Sequence, residues 1–185
     1  MAHIILASSS PRRKELLQQL SLDFEIYSPD IDEAVLEGET VNCYVERLAR
    51  AKAQVVVDLF PNAVVIAADT SLSFKGKSIG KPESKQHAFE IWSELSGQWH
   101  DVFSGLCVAT SRQMLSTFVK TEVQFKRLSQ VEMEHYWATG EPIGKAGAYA
   151  IQGIAAQFVP QIRGSYSNVV GLPLYETTQL LERIK

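Results

Sequence analysis

Ala63-Val64-Val65-Ile66-Ala67-Ala68, closed by Asp69-Thr70, is the stretch that decides the fold. An apolar run with no polar alternation reads as a strand buried on both faces, the pattern of a central strand covered by helices. Just upstream, Thr40 to about Leu59 places Val41, Tyr44, Val45, Leu48, Ala51, Lys52 and Val55 at helical spacing. Downstream, Lys75-Gly76-Lys77 reads as a turn between two short strands and Gly80-Lys81-Pro82 as a tight loop. Ser84–Leu95 then reads as a helix closed by Ser96-Gly97.

Further out, His3–Ala7 is expected to be a strand and Pro11 to about Leu20 a helix, with Leu16, Leu17 and Leu20 on one face. Ser10 stands at its N-cap position and Pro11 at its first helical position. A short strand over Phe24–Tyr27 precedes the acidic loop Asp30-Ile31-Asp32-Glu33. Asp101–Ala109 and Met114–Phe125 alternate over long runs and read as a hairpin or meander. Leu128–Ala138 reads as a helix with Gly140 as C-cap, and the polar, glycine-rich Gly144–Gln152 as a segment lining something. Gln157–Ile162 and Tyr166–Val170 are read as strands and Pro173–Ile184 as a closing helix. The sum is an α/β chain with a mixed twisted sheet flanked by helices.

At 185 residues the chain fits one domain, residues 1–185, or one large core with a small lobe. With 45% hydrophobic and 21% charged residues it has the composition of an ordinary globular protein. No apolar run approaches the roughly 18–20 residues that a bilayer helix requires. The start, Met1-Ala2-His3-Ile4-Ile5-Leu6-Ala7, has no basic region before it and reads as a buried strand and not a signal peptide. A reducing cytoplasm is the expected location, and Cys43 and Cys107, at no metal or redox spacing, are expected to fill gaps in the core. A net charge of −3 argues against stable nucleic-acid binding, which relies on a basic surface.

Ser8-Ser9-Ser10-Pro11-Arg12-Arg13-Lys14 is the sharpest chemical signal. A helix N-terminus favours acidic residues, yet here cations follow one another, an arrangement that a bound polyanion would relieve. Arginine adds bidentate donation to phosphate oxygens. From charge alone a solvated basic turn is about as good a reading, and the buried strand before it tips the balance towards a ligand. Asp69, after an apolar strand, needs a metal, a cation or water as partner; alone it reads as a turn former or cap. Asp69 with Glu33 meets the need of Mg²⁺, which takes one or two carboxylates plus phosphate oxygens, although taken alone Asp30-Ile31-Asp32-Glu33 is better read as a solvated acidic loop. For Lys52, after Glu46, Arg47 and Arg50, a surface ion pair is the ordinary expectation, while Lys81 sits beside a glycine that admits a ligand closely. There is no Gly-x-x-x-x-Gly-Lys-Ser/Thr loop, no Gly-x-Gly-x-x-Gly, no Gly-x-Ser-x-Gly elbow, and no zinc spacing among His3, His87, His100 and His135.

Leu6-Ala7-Ser8-Ser9-Ser10-Pro11-Arg12-Arg13 with Glu15-Leu16-Leu17 resembles the opening signature of the Maf family. The resemblance continues in order through Ile31-Asp32-Glu33, Arg47-Leu48-Ala49 with Lys52-Ala53, Ala68-Asp69-Thr70 and Gly80-Lys81-Pro82. It runs on through Leu95-Ser96-Gly97 with His100, Gly140-Glu141-Pro142 with Lys145-Ala146-Gly147, and Gly171-Leu172-Pro173. It implies the α/β fold shared by inosine triphosphate pyrophosphatases and a hydrolase that cuts a nucleoside triphosphate into monophosphate and pyrophosphate. By resemblance Asp69 is the catalytic acid/base, and Arg12, Thr70 and Gln152 are linked to substrate choice. Ala148-Tyr149-Ala150-Ile151-Gln152-Gly153 resembles the subgroup acting on dTTP and UTP, and a Gln amide matches the O4 and N3–H edge of thymine or uracil. Two departures, Ser104-Gly105 for Thr-Gly and Ser71 after Asp69-Thr70, bear on the substrate more than on the reaction.

The expected arrangement is therefore a triphosphate held by Ser8, Arg12 and Arg13 with Lys52 and Lys81, and Mg²⁺ or Mn²⁺ on Glu33 and Asp69. A homodimer is consistent with the resemblance. Two rivals stand beside it: the same reaction on 7-methyl-GTP, and a weakly catalytic, nucleotide-binding regulator of cell division.

Overall fold

The computed structural model describes residues 3–184, so Met1 and Ala2 of the apolar start lie outside it. Its elements in order are β1 (His3–Leu6), α1 (Pro11–Gln18), β2 (Glu25–Ile26), α2 (Val41–Leu59), β3 (Ala63–Phe74), β4 (Lys77–Ile79) and α3 (Lys85–Leu95). There follow β5 (Trp99–Ala109), β6 (Met114–Gln124), α4 (Gln130–Ala138), β7 (Gln161–Arg163), α5 (Tyr166–Val170) and α6 (Leu174–Arg183). Among the described residues the strands form one seven-stranded mixed sheet in the order β2-β1-β3-β5-β6-β7, with β4 paired to β3. The α/β fold with a mixed sheet flanked by helices is the one expected.

The chain divides into two compact units. The first comprises 1–70, 103–119 and 167–185; the second comprises 71–102 and 120–166. In the first, β1 pairs in parallel with β3, Ile5 opposite Val65 and Leu6 opposite Ile66. That register brings the end of β1, and with it Ser8, level with Ala68 beside Asp69. Strand alternation sends Ile5, Ala7, Ala63, Val65, Ala67, Cys107 and Ala109 to one face, where they meet Ala49, Ala53, Val56 and Val57 of α2 in one buried cluster. These α2 positions recur at helical spacing, so the apolar stripe and the sheet face explain each other.

Gly105 lies on that same face of β5. A Cβ built there would come 2.0 Å from the Val45 carbonyl oxygen, so α2 presses on the strand at a point where no side chain fits. In the second unit β3 turns into β4 through Lys75 and Gly76, both at positive φ (49° and 77°), the backbone of a tight hairpin turn. Trp92 and Tyr136 pack with ring centroids 5.3 Å apart and Tyr136 meets Phe158 at the same separation, giving this unit an aromatic core.

Several expectations need correction. The strand from Ala63 does not stop before Asp69 but continues to Phe74, because Asp69 finds a buried cationic partner. Ser10 occupies the N-cap position of α1 but makes no side-chain cap; its N–H donates to Ser8 Oγ at 3.2 Å instead. Tyr166–Val170 is a helix and not a strand: Ser167 O accepts from Gly171 and Leu172 N–H at 3.0 Å each. Over Gln157–Ile162 a 3₁₀ turn, Ile154–Phe158, precedes a strand that starts only at Gln161. Cys107 is buried as expected, whereas Cys43 is exposed.

Candidate active site

Alternation along β3 places Asp69 on the same face as Ala63, Val65 and Ala67, the face that α2 covers. On α2, Val45, Leu48, Lys52 and Val56 follow one another at intervals of three and four, so Lys52 falls within the buried stripe. The two side chains meet there: Lys52 Nζ donates to Asp69 Oδ1 at 2.7 Å, and both residues are buried. Lys52 therefore does not form the surface ion pair that its charged neighbours suggested. The same nitrogen lies 2.7 Å from Glu33 Oε1, whose side chain is half exposed. Two carboxylates from distant segments thus converge on one ammonium.

The loop carrying Glu33 is fastened to α2. Tyr44 Oη donates to the Glu33 carbonyl at 3.0 Å, and Arg47 Nη2 donates to the Ala34 carbonyl at 2.9 Å. Arg47 also forks onto Glu39, with Nε and Nη2 at 2.6 and 2.7 Å from its two oxygens. Its hydrogen bond holds the Glu39 carboxyl below the usual carboxylate range. Asp32 closes the turn, its Oδ1 accepting the Ala34 N–H at 2.9 Å.

Thr70 follows Asp69 and points to the opposite face, into a second polar cluster. Arg13 of α1 donates through Nε to the Gly171 carbonyl (2.8 Å), through Nη1 to Ser8 Oγ (3.3 Å) and through Nη2 to Thr70 Oγ1 (3.1 Å). Ser104 Oγ donates to the Asn168 carbonyl at 3.0 Å and lies 2.8 Å from Thr70 Oγ1. Since the Ser104 proton goes to that carbonyl, the Thr70 hydroxyl proton faces both Ser104 Oγ and the Gly171 carbonyl, 3.3 Å away, and the chain runs from Arg13 through Thr70 and Ser104 to Asn168. Burial draws the Arg13 guanidinium below its ordinary pKa; Asp69 opposes this, and Arg12 adds to it. Arg12 is half-buried and hydrogen-bonds to none of the described residues.

Of the residues singled out in the sequence, the structure thus gathers Glu33, Lys52 and Asp69 into one cluster and Ser8, Arg13 and Thr70 into another, both in the first unit. Lys81 and Gln152, both exposed, belong to the second. The part of the Gly171 carbonyl was missed, and no local pattern reveals it; Ser104 was noticed only as a departure, and its partners are 34 and 64 residues away.

Hard carboxylate oxygens gathered about a single point suit a divalent cation such as Mg²⁺ or Mn²⁺. No group of three or more His, Cys, Asp or Glu side chains fit for a metal occurs among the described residues. No described helix is long and apolar enough to cross a membrane.

A family profile described as Maf-like protein matches residues 3–184. The chain is similar to a dTTP/UTP pyrophosphatase of Acinetobacter baylyi, 68% identical over 97% of this chain and 98% of that protein. It is 50% identical to a dTTP/UTP pyrophosphatase of Colwellia psychrerythraea, over 96% of this chain and 86% of that one. Among solved structures it resembles the Ham1 protein of Staphylococcus aureus at a TM-score of 0.59, with 13% identity over 99% of this chain and 100% of that one. The last likeness is one of fold.

Proposed function

The chain belongs to the Maf-like protein family, and from that premise we propose that it hydrolyses dTTP and UTP to the nucleoside monophosphate and pyrophosphate at the Glu33–Lys52–Asp69 cluster. The observation that carries this is the convergence of two carboxylates on one buried lysine, in a chain whose full-length relatives are named for that activity.

In this reading Asp69 is the catalytic carboxylate. Buried and held by Lys52, it orients a water towards the α-phosphorus and takes up its proton. Glu33 and Asp69 would hold a Mg²⁺ or Mn²⁺ ion, which supplies neutralisation of phosphate charge when bound. Lys52 contributes positive charge beside the same oxygens, where low local polarity strengthens it. Arg12 and Ser8 hold the triphosphate in the first unit, and Lys81 is proposed as a substrate-binding residue of the second. Arg13 has given three of its donors to Gly171, Ser8 and Thr70, so its part is to hold Ser8 and Thr70 in place. Gln152 reads the base, its amide offering one donor and one acceptor to the O4 and N3–H edge. The enzyme is taken to act in the cytoplasm, and a homodimer is the proposed assembly.

The test is pyrophosphate release from dTTP, UTP, CTP, GTP and 7-methyl-GTP with Mg²⁺, Mn²⁺ or a chelator. Selective, metal-dependent release from dTTP and UTP is expected, and Asp69→Asn should lower turnover by about a thousandfold. Near-normal turnover by Asp69→Asn would remove the mechanism; release from 7-methyl-GTP alone would keep the reaction and overturn the base assignment.

A further inference from the structure

A Gln amide cannot by itself tell uracil from cytosine. One face-on orientation matches O4 and N3–H of uracil or thymine; turned by half a rotation, the same amide matches the N4 donor and N3 acceptor of cytosine. Half a turn of χ3 exchanges the two patterns, so what the backbone of residue 152 sets is how far the amide reaches towards the base, and that holding is visible within the second unit.

Tyr136, at the buried side of α4, accepts the Ala150 N–H at 3.2 Å and donates its hydroxyl proton to Glu141 Oε1 at 2.7 Å. The Glu141 carboxylate in turn accepts the Ile154 N–H on Oε2 at 2.9 Å and the Ala155 N–H on Oε1 at 3.2 Å. The turn Ile151-Gln152-Gly153 is thus tied at both ends to one tyrosine–glutamate pair. Between the ties, Gly153 N–H closes the turn on the Ala150 carbonyl at 3.0 Å. A Cβ on Gly153 would fall 2.1 Å from Glu141 Oε2, so the glycine after Gln152 is the opening through which the carboxylate enters. The approach continues upstream, where Trp92 Nε1 donates to the Ala148 carbonyl at 3.1 Å. Gln152 itself is exposed and hydrogen-bonds to none of the described residues, leaving its amide for a ligand.

We infer that Glu141 and Tyr136 are positioning residues for base selection, holding the Gln152 turn at the reach from which its amide meets the edge of a pyrimidine and not that of a larger purine. The inference rests on the reading of Gln152 given above. A carboxylate is needed at 141 because its neighbours are all donors, two backbone N–H groups and a phenol, whereas an amide would turn its own NH₂ towards one of them. Burial alone would raise the Glu141 pKa, but the bonds from Ile154, Tyr136 and Ala155, with the charge of Lys145, hold it below the usual range and keep it ionised.

The experiment compares Glu141→Gln, Tyr136→Phe and Gln152→Ala on dTTP, UTP and GTP, with hydrogen exchange over 148–156. Tyr136→Phe keeps the ring packing and removes only the hydroxyl, so it serves where Glu141→Gln folds poorly. For either positioning variant, KM for dTTP and UTP should rise about tenfold, more than kcat falls, as expected for loss of a hydrogen bond to a charged group. The preference for dTTP over GTP should shrink by a similar factor, and exchange should quicken at Ala150, Ile154 and Ala155. If Gln152→Ala loses the preference while both positioning variants keep it, the inference is overturned and the reading of Gln152 survives. If none of the three changes the preference, both are overturned.

Discussion

Replacing Lys52 with methionine keeps the length of the stem and removes the ammonium that lies 2.7 Å from both Glu33 Oε1 and Asp69 Oδ1. The consequences for the two carboxylates are unequal. The Glu33 side chain is 52% exposed and is rehydrated at little cost. Asp69, 8% exposed as a residue, is left without its partner under α2. Breaking a buried pair from one side costs about 3–5 kcal/mol, and the open flank at Glu33 argues for the lower figure, about 3 kcal/mol. For a chain of this size each kcal/mol lowers Tm by about 2–4 °C, so a fall of about 6–12 °C is expected by calorimetry. Adding Asp69→Asn removes the stranded charge and should return about 2 kcal/mol, while turnover stays at least about a hundredfold down in both variants. The double variant decides the matter: a Tm no higher than that of Lys52→Met alone would refute the view that the cost lies in the Asp69 charge.

Arg13→Lys keeps the charge but cannot reach the Gly171 carbonyl, Ser8 and Thr70 together; kcat should fall about tenfold or more, with Tm lowered, in a steady-state assay and a melt. His100, with Nε2 2.8 Å from Tyr149 Oη, is buried and its pKa is pushed down to about 3, so it stays neutral in the fold while the unfolded chain takes up a proton near the ordinary value. Its contribution is complete above about pH 6.5 and is lost as pH falls towards about 3, amounting to about 2 kcal/mol by pH 5; His100→Gln should flatten that dependence in urea titrations. Cys43 is exposed, whereas burial pushes the Cys107 thiol up to about 12, so one thiol should react with a disulfide reagent in the native protein and a second only on unfolding.

Periodicity in the chain reports local burial, and it located β1, α1, α2, α3 and the long antiparallel strands within a few residues. The same signal stood behind Lys52, which shares the stripe of Val45, Leu48 and Val56. What it could not show is why a lysine sits there, because the answer, Asp69, is 17 residues away on a strand. The end of β3 was misjudged for that reason: a carboxylate reads as a strand terminus until its buried partner is known. Tyr166–Val170 failed differently, since two adjacent valines suit either a strand or a short helix and only the bonds to Ser167 decide. The bonds of Arg13 join segments up to 158 residues apart, the farthest being that to the Gly171 carbonyl. The Tyr136–Glu141 pair was legible only as a resemblance in Gly140-Glu141-Pro142, with Gly153 as an unread sign that something occupies the space beside it.

The contact at Gly105 places a limit on change that no active-site residue would suggest. The position has no side chain to offer a ligand, yet it sets how deeply α2 lies on the strand, with the Val45 carbonyl 2.0 Å from where even an alanine methyl would sit. Lys52 stands seven residues further along that helix, two turns on, and its reach to Asp69 is measured from the same seat. A directed-evolution campaign that varied every residue of the two polar clusters could redraw their chemistry freely, but a methyl at 105 would tilt the beam from which the lysine hangs.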